Sequence, residues 1–319
     1  MKKLYMNPVI ALIITNIIWG AAAPIFKLAL TNIPPFTLGF IRFFFAGSIL
    51  LPIMLIKWKK INTKTFYQIF VGAVLGYTIS ISLYFIALTK TQAINAPVIS
   101  CAAPVFLYFL SIFFLKEKAK MKVMFGMIVA LIGALVIVFS PIFFEGAELA
   151  FGEIQGNLLL VISMIVGVIS TLIHKKALDK VNFYQITCIT FFLAALTFFP
   201  FMMRELDSWS FRQLNINGLA GIVFGVFLCS ALAYVLYYYG LSKIKAQEVG
   251  LFTYMDPVIA VIIAIPLLGE YPNLYFIIGS VFVFLGIYVA EGRLHYHPIY
   301  KIKEHKKKTW RDYLFKRQQ

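Results

Sequence analysis

Ten separate runs of apolar residues, each about as long as a membrane-spanning helix, constrain this chain more than any other feature. A helix needs about 20 largely apolar residues to cross the hydrocarbon core of a bilayer. Hydrophobic residues make up 61% of the 319 positions and charged residues only 13%, so no soluble domain fits between the runs. The sequence therefore predicts an all-α membrane protein with ten transmembrane helices. The runs cover residues 7–30, 34–56, 66–88, 93–115, 121–144, 155–177, 182–203, 214–240, 245–268 and 272–290.

Lysine and arginine residues are distributed unevenly between the segments that join the runs. Cytoplasmic segments of membrane proteins collect these residues. If the N-terminus is cytoplasmic, most of the 29 lysines and arginines fall on the cytoplasmic side. We therefore expect both termini to be cytoplasmic, in a multi-pass protein of a plasma membrane. Topology and anionic inner-leaflet lipid account for the net charge of +16, so it does not indicate a nucleic-acid partner.

Two similar phrases lie 153 positions apart. They read APVFLYFLSIFFLKE from residue 103 and DPVIAVIIAIPLLGE from residue 256, so Pro104 corresponds to Pro257 and Glu117 to Glu270. Glycine pairs repeat as well, and the Gly-x-x-x-Gly spacing indicates close contact between helices. These pairs are Gly72-x-x-x-Gly76 with Gly221-x-x-x-Gly225, Gly126 with Gly279, and Gly133 with Gly286.

This repeat divides the chain into two five-helix units and a tail. We expect the units at residues 1–150 and 151–291, followed by a basic cytoplasmic tail at 292–319. Because five is odd, the second unit enters the membrane from the opposite side. The predicted fold is therefore two inverted five-helix repeats, a plan common among secondary transporters.

The repeated phrases also resemble a known family. AINAPVISCAAPVFLYFLSIFFLKEK followed by FGMIVALIGALVIV, and AQEVGLFTYMDPVIAVIIAIPLLGE followed by IGSVFVFLGIYVA, resemble the EamA-type pattern of the drug/metabolite transporter superfamily, as do Trp19-Gly20 and Arg42-Phe43. The resemblance covers the chain up to about residue 292. It implies a ten-helix carrier, typically an exporter of amino acids or other small metabolites, with a central cavity lined by both halves. It names a class of substrate and no single molecule.

Small and polar residues follow one face of the first helix and of the sixth, which are equivalent in the two units. Both faces have the spacing i, i+4, i+7 and i+11. They indicate either a polar cavity wall or close helix packing through small residues. The residues are Asn16, Gly20, Ala23 and Lys27, with Trp19 adjoining, and Ser163, Gly167, Ser170 and His174.

Tyrosines cluster in the third and eighth helices, at Tyr77, Tyr84, Tyr234, Tyr237 and Tyr238. Tyrosine near the end of a membrane helix is commonly an interfacial residue. The alternative is that some of these rings line the cavity, where they suit aromatic or amphipathic ligands. As substrate-binding residues we expect Asn16, Trp19, Tyr84, Tyr237 and Thr253.

Arg42 lies inside the second helix, seven residues after Pro35. This is roughly 10 Å from the helix end, so its side chain either snorkels to the membrane surface or turns inward. An inward guanidinium would act as a bidentate clamp on a substrate carboxylate.

Asp256 is the most deeply placed acid, near the centre of the ninth helix and directly before Pro257. A carboxylate there is costly unless it is paired or protonated, which predicts a proton or cation role. The alternative is a neutral carboxyl hydrogen-bonded to backbone that the proline leaves free. Ala103 occupies the equivalent position, so the two units are expected to share a scaffold and differ in chemistry.

Enzymatic motifs and cofactor sites are not evident. The histidines lack His-Glu-x-x-His spacing, no Walker-type glycine loop occurs, and the three cysteines are isolated inside apolar runs. The sequence thus predicts a protein that is not an enzyme, with no cofactor, no metal and no ATPase motif. The tail YKIKEHKKKTWRDYLFKRQQ is expected to bind anionic lipid, with docking of a protein partner as the alternative.

These observations favour a secondary transporter of small organic metabolites, working as an exporter by alternating access. An importer or exchanger of the same substrates is the alternative within the class. A receptor or assembly factor that does not transport is the alternative outside it.

Overall fold

The computed structural model describes residues 6–103, 106, 110, 121–145, 151–244 and 249–291. Within these residues the chain forms helices joined by short turns, without a strand. The helices are α1 Pro8–Ala29, α2 Pro35–Ile56, α3 Thr63–Leu88, α4 Asn95–Ser100, α5 Met121–Glu145, α6 Phe151–Ala177, α7 Phe183–Glu205, α8 Ile216–Lys243, α9 Asp256–Leu268 and α10 Leu274–Glu291.

Six of these helices are long and apolar enough to cross a membrane: α1, α2, α3, α6, α7 and α8. Each lies within a few residues of the boundaries expected from the sequence. Shorter apolar helical stretches occur in α5, in α9 together with the turn before it, and in α10. They cover Met124–Ser140, Phe252–Leu268 and Leu274–Gly286, respectively. Residues 104, 105, 107–109 and 111–115 of the expected fourth run, 93–115, lie outside the described residues, as do Glu117 and the tail from residue 292.

Local chemistry explains several helix ends. The side chains of Asn7, Asn62 and Asn182 accept hydrogen bonds from the first turns of α1, α3 and α7, and Gln185 completes a capping box with Asn182. At the end of α9, Gly269 has a φ of +67°, the left-handed conformation that glycine adopts most easily. These residues fix where the apolar runs begin and end.

Helix packing follows a regular scheme. α2 packs against α7, α5 against α10, α1 against α8, and α3 against α6. A Cβ atom at Gly72 would collide with the ring of His174 on α6, and one at Gly76 would collide with Ser170 on the same helix. The expectation that the Gly-x-x-x-Gly pair brings two helices into close contact is therefore confirmed in α3.

Both α3 and α8 depart from α-helical geometry in their middle. A π-helical segment occupies Val74–Ile79 in α3 and Phe224–Leu232 in α8. α1 is interrupted at Ala21, between Pro8–Gly20 and Ala22–Ala29. Such irregular segments frequently occur at functional sites, and all three lie beside the cavity described next.

Candidate functional site

A cavity of about 310 Å³ lies between α1, α3, α4, α6, α8 and the start of α9. The side chain of Arg42 reaches it from α2. Every residue proposed from the sequence as part of a site lines this cavity, although their contact with a ligand stays a prediction. They are Asn16, Trp19, Arg42, Tyr84, Tyr237, Thr253 and Asp256.

Arg42 turns inward and is only 2% exposed. Its Nε atom donates to Oγ of Ser230 at 2.6 Å, and its Nη2 atom donates to Sγ of Cys229 at 3.2 Å. The guanidinium carbon lies 4.9 Å and 5.0 Å from the ring centres of Phe26 and Phe43. The interpretation that Arg42 snorkels to the membrane surface is therefore wrong, because its partners lie on α8 inside the bundle.

No carboxylate among the described residues forms an ion pair with Arg42. Aromatic faces and neutral hydrogen-bond acceptors stabilise a cation without neutralising it. A buried cation without a counter-ion is costly, so a ligand carboxylate would gain a strong charge-assisted contact here.

Asp256 begins α9 and is 8% exposed. Its Oδ1 atom is buried and has no hydrogen-bond partner among the described residues. Pro257 has no N–H to donate to the carbonyl of Thr253, but that carbonyl accepts from the backbone N–H of Asp256 and from Cys101 Sγ, the latter at 3.5 Å. The alternative in which the Asp256 carboxyl serves freed backbone thus receives no support at Oδ1.

Close packing places Asp256 against α1. A Cβ atom at Gly20 would lie 3.0 Å from the carbonyl oxygen of Asp256 and 2.8 Å from Cβ of Ile259. Glycine at this point of the small-residue face of α1 therefore lets α9 approach. The face serves both purposes suggested by its sequence, because Asn16 and Ala23 line the cavity while Gly20 packs against α9.

Aromatic rings form one wall of the cavity. The ring of Trp19 lies 5.0 Å from both Tyr234 and Tyr237, and Tyr77 lies 5.0 Å from Tyr234. Trp19 Nε1 donates to the carbonyl of Cys229 at 3.3 Å, which fixes the indole against α8. Tyr84 lines the same cavity as Arg42 and Asp256.

Asn16 contributes a polar atom that no described residue contacts through a hydrogen bond. Its Nδ2 atom donates to the carbonyl of Leu12 at 2.7 Å, whereas Oδ1 is buried without a hydrogen bond among the described residues. The amide oxygen is therefore available to a ligand N–H or O–H group. Thr253 lines the cavity from the 3-10 turn Gly250–Met255 that precedes α9.

Polar links tie the helices together on either side of the cavity. Near the turn between α1 and α2, Lys27 Nζ contacts Oε1 of Glu270 at 2.5 Å. Toward the opposite membrane surface, Tyr77 Oη and Tyr238 Oη share a hydrogen bond of 2.7 Å, and Tyr238 Oη contacts Nδ1 of His174 at 2.7 Å. The turn near Lys27 precedes α2, and the linker before α3 follows it. Because α2 is long enough to cross the membrane, these two connections lie at opposite membrane surfaces.

Sequence reasoning missed the residues that hold Arg42. Ser230 was not singled out, and Cys229 was noted only as one of three isolated cysteines inside apolar runs. Both lie in the π-helical segment of α8, which apolar periodicity does not reveal. In the described part of the chain, no group of three or more histidine, cysteine or acidic side chains is arranged to hold a metal ion.

Comparison with known proteins gives a consistent result. The model of the EamA-like transporter family matches residues 6–139 and again residues 154–291. An uncharacterized transporter of Archaeoglobus fulgidus is 25% identical over 292 residues, covering 89% of this chain and 97% of that protein. The uncharacterized transporter YetK of Bacillus subtilis is 26% identical over 293 residues, covering 90% of this chain and 88% of that protein.

A solved crystal structure shares the fold. It superposes with a TM-score of 0.63 at 16% sequence identity, and the match covers 89% of this chain and 96% of the other.

Proposed function

We propose that this chain, which belongs to the EamA-like transporter family, is a secondary transporter of small organic metabolites such as amino acids and related compounds. It is a multi-pass membrane protein, and the names of its relatives indicate a transporter rather than an enzyme. One observation carries the proposal: a buried cation and a buried acid, Arg42 and Asp256, line the same cavity.

Charge and shape define the substrate that suits this cavity. The guanidinium of Arg42 presents a fork that fits a carboxylate, and the unpartnered Oδ1 of Asp256 suits an ammonium group. The rings of Trp19 and Tyr237 offer apolar faces to the remainder of the molecule. A zwitterion with an aromatic or amphipathic side group satisfies all three features, because it brings compensating charge to both buried residues.

Asp256 is also our candidate for coupling. A buried carboxyl that faces a water-accessible cavity first from one side and then from the other exchanges a proton or a cation between them. The part of the sequence that forms the bundle contains no ATP-binding motif. The driving force we propose is therefore an ion gradient or the substrate gradient itself.

The packing scheme supports two inverted five-helix repeats. The family model matches once in each half of the chain. If α1 to α5 correspond to α6 to α10, the pair α1–α8 exchanges with α6–α3, while α2–α7 and α5–α10 each map onto themselves. A two-fold relation between the halves produces this exchange, and alternating access would then be a rocking of one half against the other.

For orientation, we propose cytoplasmic termini in a plasma membrane, with the basic tail on anionic lipid, and export as the direction. The charge distribution supports this topology. Cysteines placed at Asn62 and Asn215, which cap α3 and α8, should react with an impermeant reagent from the inner and the outer side respectively. Labelling of both from one side would refute the proposed topology.

Flux in sealed vesicles tests the function. Purified protein is reconstituted into proteoliposomes, and uptake and efflux are measured across a panel of amino acids, their amines and their carboxylic acids. We expect saturable flux of at least one zwitterionic compound. Preferred efflux in cells would distinguish an exporter from an importer or exchanger, and ligand binding without flux would identify a receptor.

A further inference from the structure

A second cavity lies at the surface of the bundle, away from the transport site. Its volume is 270 Å³, and its lining comes from the linker between α2 and α3, the start of α3, and the linker between α6 and α7. These linkers join four of the six long apolar helices, so the cavity lies at the level of a membrane surface. The lining residues are Lys60, Ile61, Asn62, Thr65 and Lys180.

Hydrogen bonds from the start of α7 hold the first linker in place. Asn182 Nδ2 donates to the carbonyl of Lys57, and Gln185 Nε2 donates to the carbonyl of Lys59, each at 2.7 Å. At the other end of the linker, Asn62 Oδ1 accepts from the backbone N–H of Thr65 at 2.8 Å. The main chain that carries Lys60 is therefore fixed on both sides, and the cavity is preformed.

Positive charge in this cavity is not paired with an acidic side chain in the described part of the chain. Neither Lys60 nor Lys180 forms an ion pair with an acidic side chain among the described residues. Lys59 and Lys64 lie on the same short stretch and add to the positive potential. An anion that bridges the two ammonium groups would relieve their repulsion.

Two exposed aromatic residues are close in sequence to residues that line the cavity. Trp58 is 52% exposed and Tyr67 is 66% exposed. Exposed aromatic residues at the end of a membrane helix pack at the level of lipid headgroups. A ligand with a phosphate group and acyl chains would place the phosphate between the lysines and its chains along the outside of the bundle.

We propose that this cavity binds the phosphate group of an anionic membrane phospholipid. Basic pockets between membrane helices are suited to such headgroups. The side-chain amide of Asn62 offers the phosphate a further hydrogen-bond donor besides the two ammonium groups. Lys60 belongs to the first half of the chain and Lys180 to the second. A bound phosphate therefore joins the two halves at this surface. The lining residues are distinct in sequence from the basic tail at 292–319.

Native mass spectrometry of the full-length protein tests the proposal. The protein is delipidated in detergent and titrated with phosphatidylglycerol, with phosphatidylcholine as the zwitterionic comparison. The double variant Lys60→Gln/Lys180→Gln should bind phosphatidylglycerol at least about tenfold more weakly than the wild type, because each lysine near an anionic headgroup adds to the binding free energy. Lys176→Gln/Lys243→Gln is the matched control, since it removes the same charge from exposed side chains outside the cavity lining.

Three outcomes decide between the alternatives. Selective weakening in Lys60→Gln/Lys180→Gln, with folding verified by size-exclusion chromatography, supports the site. Equal weakening in both double variants, or in neither, overturns it and assigns lipid binding to general surface charge or to the tail. Displacement of phosphatidylglycerol from the wild type by millimolar inorganic phosphate supports the same two lysines as a phosphate site but assigns the ligand to free phosphate.

Discussion

Lys27 Nζ lies 2.5 Å from Oε1 of Glu270, and this contact joins the end of α1 to the turn between α9 and α10. The same ammonium group donates to the carbonyl of Thr91 at 2.7 Å, and the other oxygen of Glu270 accepts from the backbone N–H of Ala93 at 2.7 Å. One ion pair thus links three connections on one side of the cavity: the turn between α1 and α2, the linker between α3 and α4, and the turn between α9 and α10. If access alternates, this pair must separate whenever the cavity opens toward that side.

Glu270→Gln should favour the state that is open on the Glu270 side. The Lys27 side chain is 28% exposed, so solvent screens the ion pair. Its removal therefore lowers the free energy that favours the closed state by on the order of 1 kcal/mol. That value corresponds to about a fivefold change in population. We expect Cys229, which lines the cavity, to react about fivefold faster with an impermeant thiol reagent applied from that side, in a background without Cys101 and Cys188.

The control for this prediction is Asp207→Asn, which removes an exposed carboxylate just beyond the end of α7. It should leave the labelling rate unchanged. Equal acceleration in both variants, or no change in Glu270→Gln, would show that the ion pair does not control access.

Arg42→Lys should weaken the binding of carboxylate ligands by at least about tenfold, because lysine keeps the charge but loses the bidentate fork. It also loses the paired contacts with Ser230 and Cys229 that orient the guanidinium. Dissociation constants are measured for a carboxylate ligand from the flux panel and for its methyl ester. Arg204→Lys, an exposed arginine, is the control. Equal losses for acid and ester would indicate a structural role for Arg42.

Asp256→Asn should abolish the dependence of flux on a pH gradient while the protein still folds. The amide retains the size of the side chain but does not release a proton. Flux is measured in proteoliposomes with and without an imposed gradient, and Asp179→Asn, at an exposed position, serves as the control. Wild-type, gradient-driven flux in Asp256→Asn would assign the residue to structure alone, as would failure of that variant to fold.

Gly72→Ala should destabilise the protein relative to Gly167→Ala. The added Cβ at Gly72 would collide with the ring of His174, which Tyr238 holds in place, whereas at Gly167 it would meet only Ser80 Oγ at 3.4 Å. Both substitutions share the gain in helix propensity, so the difference between their free energies of unfolding isolates the collision, which costs about 1–3 kcal/mol. Thermal unfolding in detergent measures it. Equal stability would mean that α3 and α6 adjust without strain.

Much of the fold was predictable because the bilayer imposes a fixed length on apolar runs. α1, α2, α3, α6, α7 and α8 were expected from runs of that length. The inward-facing residues were also predictable, since the small and polar faces of α1 and α6 contrast with apolar surroundings. These signals are local and periodic, so they can be recognised in a single sequence.

Tertiary partners were not predictable from the same signals. The depth of Arg42 was evident, but its contact with Ser230 depends on the π-helical segment of α8 and on the packing of α2 beside it. The hydrogen bonds that join Tyr77, Tyr238 and His174 likewise unite three helices that are distant in sequence. Periodicity indicates which face of a helix turns inward, and it carries no information about which side chain it meets there.

Counterflow in proteoliposomes tests most directly whether the cavity between Arg42 and Asp256 is the transport site. Vesicles loaded with an unlabelled zwitterionic compound from the panel are diluted into a trace of the labelled compound, for the wild type, Arg42→Gln and an exposed-arginine control, Arg204→Gln. We predict transient accumulation of label with the wild type and with Arg204→Gln, and its loss in folded Arg42→Gln. Counterflow at the wild-type rate in Arg42→Gln, or ligand binding without counterflow in the wild type, would contradict the account.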